Sequence, residues 1–198
     1  DTVYKKNYYN LFPTVHIKYD INDKHSIKLS YSRRVQRPNI WQLNPYRDIS
    51  DKQNVRCGNP YLNPEMANSL ELGYQLSIKK TFFSATAFYR HRSHLITRYT
   101  TLEQYIPQDT TEDSYIYTLT SYQNLNQSHN IGVELFYSQR IWKFWKINAS
   151  FNFYRNIIES DNMLDENLAR NWEFRFRLNQ TFSFDKNWDI QLNFRYSS

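Results

Sequence analysis

Apolar and polar residues take turns along most of this chain, with a period of two. From Ser26 to Ser32, Ile27, Leu29 and Tyr31 alternate with Ser26, Lys28, Ser30 and Ser32. Leu70, Leu72, Tyr74, Leu76 and Ile78 alternate with Glu71, Gly73, Gln75 and Ser77. The same beat returns in Ile131–Tyr137, Ile147–Tyr154, Trp172–Asn179 and Ile190–Ser197. Successive side chains of an extended strand point to opposite faces, so each run predicts a strand with one apolar and one polar face. Val15, Ile17 and Tyr19 set against His16, Lys18 and Asp20 form a less regular strand. Phe83, Ala85, Ala87 and Tyr89 set against Ser84, Thr86, Phe88 and Arg90 form another. Eight strands result, many of about ten residues, the length that crosses a bilayer at a tilt.

The connections alternate as well. Short turns are expected at Asn22-Asp23-Lys24, Lys79-Lys80, Arg140 to Lys146 and Asp185-Lys186-Asn187. Long excursions are expected over 35–67, roughly 96–128 and 157–170. Short turns at one end and long loops at the other is the asymmetry of membrane barrels. Trp142, Trp145 and Trp188 lie at the short turns, and Tyr19, Phe82 and Phe184 flank them, as an interfacial aromatic girdle requires.

Composition sharpens this picture. Aromatics make up 18% of the 198 residues, yet mean hydropathy is only -0.80. An alternating membrane strand reconciles the two, because every lipid-facing residue is followed by one facing water. No run approaches the roughly 18 to 20 apolar residues of a spanning helix. A soluble β-sandwich would alternate too, with its apolar faces turned to a shared core. Strand length and loop asymmetry weigh against it, as does a polar face carrying Glu71, Arg90, Glu134, Glu173, Arg175, Arg177 and Arg195. Those seven read as lining a lumen. The expected fold class is therefore all-β, with antiparallel transmembrane barrel strands.

The formal charge of +6 is spread along the chain without a basic block, which argues against nucleic acid as a partner. Cys57 is the one cysteine, so no disulfide forms within the chain, and it reads as a loop spectator.

The 35–67 excursion holds the most specific text. It is preceded by Ser30-Tyr31-Ser32-Arg33-Arg34-Val35-Gln36-Arg37-Pro38 and continues with Trp41-Gln42-Leu43-Asn44-Pro45-Tyr46. Then come Gly58-Asn59-Pro60-Tyr61-Leu62-Asn63-Pro64-Glu65 and Ser69-Leu70-Glu71-Leu72-Gly73-Tyr74. This segment, over roughly residues 26–75, strongly resembles the TonB-dependent receptors of the outer membrane, especially the Bacteroidetes outer-membrane β-barrel proteins. The rest of the chain agrees with them in texture. The resemblance implies a wall of about 22 strands enclosing an N-terminal plug, with a TonB box before the plug that engages TonB. On that reading the chain is a partial barrel domain over 1–198, lacking plug and TonB box, in the bacterial outer membrane. It would border outer-membrane lipid and lipopolysaccharide and help to import an unidentified nutrient. The rivals are a stand-alone eight-stranded barrel with a structural or adhesive role, and a soluble β-rich glycan-binding module.

Gly58-Asn59-Pro60 and Asn63-Pro64 are also turn chemistry, expected to bend the excursion back and start the next strand. Arg33, Arg34 and Arg37 have two readings. They grip an anionic substrate or lipopolysaccharide phosphates, or they pair with polar-face carboxylates such as Glu71; the second is preferred. Arg37, Trp41, Tyr46, Tyr61 and Tyr105 are the loop candidates for ligand contact, since aromatic faces stack on glycans and large apolar ligands. Tyr99 and Tyr122 share that loop setting.

No catalytic motif stands out: G-x-S-x-G, a phosphate loop and H-E-x-x-H are all missing from the sequence. No cofactor motif is present. His91 and His94 would face opposite sides of a strand, which argues against a metal site. The acidic residues Glu159, Asp161, Asp165 and Glu166, like Asp109, Glu112 and Asp113, read as solvated loop carboxylates rather than calcium ligands. Asn148 and Asn179 sit in glycosylation-like triplets but read as polar-face strand residues.

Overall fold

The computed structural model describes residues 9–106, 114–159, 170–184 and 188–198. One sheet of nine strands accounts for nearly all of them. In chain order these are β1 (Thr14–Asn22), β2 (His25–Gln36), β3 (Asn54–Arg56), β4 (Glu65–Ile78), β5 (Thr81–Tyr105), β6 (Tyr115–Arg140), β7 (Trp145–Glu159), β8 (Arg170–Phe184) and β9 (Trp188–Ser197), with one helical turn, α1 (Ile40–Leu43), between β2 and β3. Eight strands form an antiparallel meander in the order β1-β2-β4-β5-β6-β7-β8-β9, and β3 joins β6 in parallel. Among the described residues β1 and β9 each have one neighbour, so the sheet is open at both edges.

Register turns the sequence alternation into two coherent faces. One row across the sheet reads Ile17, Leu29, Leu72, Ala87, Val133, Phe153 and Phe174. The next reads Tyr19, Ile27, Tyr74, Ala85, Leu135, Phe151, Phe176 and Tyr196. Among the described residues nothing packs on this apolar face. Leu72 is 54% exposed and Phe194 55% exposed, values foreign to the core of a sandwich. The soluble-module expectation fails on this point, because the large apolar side chains line the outside of a single sheet.

The short turns at 22–24, 79–80 and 140–146 lie where the alternation placed them, and 185–187 fall outside the described residues. Lys79 takes φ 48°, the left-handed backbone that a tight two-residue hairpin demands. Trp145 stacks on Phe182 at 5.6 Å and Trp142 on Phe144 at 5.7 Å, while Phe144 stacks on Phe184 at 5.8 Å. Phe82 does not join this girdle. Its register pairs it with Ser77 and Ser138, so it shares the opposite, polar face with Phe136, 6.0 Å away. Parity decides this: Phe82 is one position out of step with the apolar residues Phe83 and Ala85.

A second correction concerns length. The expected 96–128 loop is largely strand, because β5 and β6 run 25 and 26 residues. About ten suffice to cross a bilayer, so the hairpin projects well past its neighbours. His94, with φ 57°, interrupts β5 between the pairs Ser93–Gln127 and Leu95–Leu125. Its carbonyl accepts from Asn124 Nδ2 at 2.7 Å. Tyr99, Tyr105 and Tyr122 are accordingly strand residues, and Tyr105 packs on Tyr115 with ring centroids 5.1 Å apart.

Candidate functional site

The 37–64 excursion folds against the projecting hairpin. Asn39 caps α1: its side chain accepts from Gln42 N, and the Gln42 side chain accepts from Asn39 N, both at 2.9 Å. This reciprocal capping box fixes a single turn that would otherwise be too short to hold. Two of the three Asn-Pro motifs, Asn44-Pro45 and Asn59-Pro60, are then stapled together. Gly58 N donates to Asn44 O at 2.8 Å and Asn59 N to Gln42 O at 2.7 Å. A Cβ on Gly58 would lie 2.5 Å from Asn44 O and 2.7 Å from Trp41 O, so only glycine permits this approach.

The excursion also docks sideways. Asn59 Nδ2 donates to Tyr122 O at 3.0 Å, Asn63 N to Asn124 Oδ1 at 2.8 Å, and Asn124 Nδ2 to Asn63 O at 3.0 Å. Strand β3, which the alternation did not reveal, lines up Val55 with Leu119 of β6. Three residues without a period of their own carry no strand signal. Val55, Tyr117 and Leu119 form a small buried core, with Cys57 packed on it. Leu62 is buried, and β4 begins directly after Pro64, as the turn chemistry anticipates. Arg47 Nη1 donates to Tyr117 Oη at 2.8 Å and lies 3.3 Å from a Glu103 carboxylate oxygen, and the Tyr117 hydroxyl donates to that same oxygen at 2.5 Å. The Glu103 hydrogen bond, followed by desolvation, pushes the Tyr117 phenol above its usual range. The Ser50 hydroxyl and backbone N–H pull Asp48 below the ordinary carboxylate range, and the Asn54 side chain followed by Gln53 N–H does the same for Asp51.

Between excursion and hairpin lies a cavity of about 490 Å³. Trp41, Asn44, Tyr46 and Gly58 line it from one side, with Asp48, Arg56 and Cys57, while Arg98, Thr120 and Tyr122 close it from the strands. Of the five loop candidates it gathers Trp41 and Tyr46. Arg37 and Tyr61 are exposed elsewhere on the excursion, and Tyr105 lies further along β5. Arg56 and Arg98 were missed as site residues, because neither belongs to a motif and only the fold brings them together.

The seven expected polar-face residues do share one face. Glu71 and Glu134 flank Arg90, at 3.4 and 3.6 Å from its Nη2, and Arg90 also lies over the Phe88 ring at 4.3 Å. Arg175 pairs with Glu173 at 3.4 Å, and Arg177 stands opposite Arg195. The preferred pairing of Glu71 with Arg33, Arg34 or Arg37 is not found. Arg90 faces Glu71 from the neighbouring strand, whereas Arg33 points to the other face and Arg34 and Arg37 lie higher up. Asn148 and Asn179 sit opposite each other on the polar face. Among the described residues no group of three or more His, Cys, Asp or Glu is placed to hold a metal ion. Asp109, Glu112, Asp113, Asp161, Asp165 and Glu166 lie outside the described residues.

An open antiparallel meander with one bare apolar face, one charge-paired face and an aromatic girdle is barrel wall. The profile of the Outer membrane protein beta-barrel family matches residues 1–198. The chain belongs to that family. Its place is therefore the bacterial outer membrane. The comparison with curated proteins gives no match. Among solved structures the barrel sheet is similar to the siderophore receptor PirA from Pseudomonas aeruginosa, with a TM-score of 0.73 at 14% identity over 96% of this chain and 34% of that one. It is similar also to the copper transporter OprC, with 0.59 at 21% identity over 92% and 25%. The FrpB iron transporter from Neisseria meningitidis gives 0.56 at 14% identity over 95% and 26%. At these identities the likeness is one of fold. The chain spans between 25% and 34% of the length of each of those proteins.

Proposed function

We propose that this sheet is one arc of the wall of a larger TonB-dependent receptor that imports a scarce nutrient across the outer membrane. The observation that carries the reading is the pairing of two faces on one open sheet. A bare apolar face suits lipid, and a face with the Glu71–Arg90–Glu134 cluster suits a water-filled lumen. The open edges at β1 and β9 call for further strands, since an unpaired edge inside a bilayer leaves backbone groups without partners. An isolated eight-stranded barrel would need β1 and β9 to pair. The similarity of the sheet to siderophore and copper receptors supports the same reading.

Within it, the cavity beside the projecting hairpin serves as a contact point at the outer mouth. Trp41, Tyr46 and Tyr122 offer stacking faces, and Arg56 and Arg98 offer donors for an anionic group. Catalysis has no part in this role. Cells that express the whole receptor are offered labelled iron chelates and labelled copper, with and without TonB. Uptake of one of them should require both the receptor and TonB. Equal uptake without TonB, or uptake of neither beyond that of cells lacking the receptor, overturns the proposal.

A further inference from the structure

Just above the lipid-facing band, on the end with the long connections, the apolar face changes character. The row that follows Tyr31, Leu70, Tyr89 and Ile131 across the sheet reads Arg33, Asn68, His91 and His129. Arg155 of β7 belongs to the same face, opposite Ile131 and Trp172.

These side chains are held in place. Tyr31 Oη donates to Asn68 Oδ1 at 3.0 Å, and the Tyr89 hydroxyl is hydrogen-bonded to His129 Nδ1 at 2.8 Å. The His91 and His129 rings lie 4.9 Å apart. The Arg155 guanidinium lies 5.4 Å from the centre of the Trp172 ring. Both arginines are only partly exposed, and among the described residues the Nε of each is buried without a hydrogen-bond partner. The ion pairs among the described residues lie elsewhere: they join Lys18 to Asp20, Arg47 to Glu103, Arg90 to Glu71 and Glu134, Arg92 to Glu65, and Arg175 to Glu173. The nearest described carboxylate on this face, Glu159, is engaged by Gln127.

A half-buried guanidinium without an acid partner is a costly arrangement unless an anion arrives from outside. The place narrows the choice of anion. Cations and aromatic rings at the upper rim of a lipid-facing band stand at headgroup depth. We propose that Arg33 and Arg155, with His91 and His129 between them, form a docking surface for the phosphate groups of an anionic lipid headgroup in the outer leaflet. The strands are about 4.8 Å apart, so Arg33 on β2 and Arg155 on β7, one row lower, stand roughly 20 Å apart across the sheet, room for a headgroup with two phosphates. Guanidinium suits the task because its fork matches phosphate oxygens two at a time. The proposal concerns lipid and stands independently of which nutrient the receptor carries.

The test places the whole outer-membrane protein in neutral phosphatidylcholine nanodiscs and titrates in bisphosphorylated or fully dephosphorylated lipid A. The wild type should favour the phosphorylated form by about thirty-fold, the scale expected for two well-placed basic side chains. Arg33→Gln with Arg155→Gln should cut that preference to a few-fold. Arg177→Gln with Arg195→Gln removes the same charge from the opposite face and should leave it intact. Millimolar inorganic phosphate should not displace the lipid. The idea is overturned if the wild type binds both lipid forms equally, if the two double variants lose the preference alike, or if free phosphate competes it away. Should the first variant fail to reach folded electrophoretic mobility, the wild-type arms decide the matter alone.

Discussion

The lower and upper parts of the β5–β6 hairpin use similar strand chemistry in opposite ways. In the lower part Val133 and Leu135 are 40% and 37% exposed, and no protein covers them. In the upper part Tyr117 and Leu119 are buried against Val55 and Cys57 of the excursion. The difference lies in the solvent. On the proposed reading, lipid replaces a core for the first set, whereas the second stands beyond the bilayer and needs protein to cover it. Alternation therefore reports that a face is apolar, while the covering comes from another part of the chain.

The largest effect should come from forcing a charge into the lower part. Leu135→Arg puts a guanidinium on the lipid face and should cost about 2–4 kcal/mol near mid-membrane. Reversible denaturation from lipid vesicles measures it. A cost under about half a kcal/mol would mean that this face does not meet lipid.

Next comes the cap. Leu119→Ala should cost about 2–3 kcal/mol of local packing, and Gly58→Ala should act in the same direction because its Cβ meets Asn44 and Trp41 backbone atoms. Hydrogen exchange should speed up over 37–64 in both variants while the spanning strands keep their protection. Uniform loss of protection across the sheet would show that cap and wall are a single cooperative unit.

The wall was largely legible in the sequence, and the cap was not. Every clean run of alternation became a strand because its register is enforced by one apolar face; a one-residue slip would put Leu72 in water and Glu71 in lipid. Phe82 shows the limit of that logic, since proximity to a turn says nothing of parity. The continuation of β5 beyond His94 alternates poorly. Thr97, Thr100 and Thr101 are neither clearly apolar nor charged, so the hairpin passed for a loop. Strand β3 depends on an edge of β6 left free where β7 ends, a long-range circumstance that three residues cannot announce. The motifs themselves were informative. Gly58-Asn59-Pro60 and Asn63-Pro64 act as the turn chemistry says, but their partners, Asn44 and Asn124, are fixed only by the folded chain. The same holds for the cavity, where Trp41 and Tyr46 were visible as exposed aromatics and Arg56 and Arg98 were not.

A smaller effect belongs to the polar face. Arg90 lies between Glu71 and Glu134, and all three side chains are more than a third exposed, so water screens the pairing. A double-mutant cycle with Glu71→Gln and Arg90→Gln should return a coupling of about 0.5 kcal/mol, shrinking as salt is raised. A coupling several times larger that ignores salt would mean that this face is drier than a lumen.

The smallest signal is acid titration of the excursion. Asp48 and Asp51 have carboxyl pKa values below the ordinary 3.8, because hydrogen bonds from Ser50 and from Asn54 favour the charged form. A depressed native pKa contributes stability above the unfolded value, and that contribution fades as pH falls through the native value. Between neutral pH and about pH 5 the cap should therefore be indifferent to acid, and below about pH 4 exchange over 48–56 should begin to quicken ahead of the spanning strands. Asp51→Asn should abolish part of that acid response without altering exchange at pH 7 in the wall. Carbon-detected titration of the two side-chain carboxyls checks the cause directly: midpoints at or above 3.8 would detach the acid response from these turns.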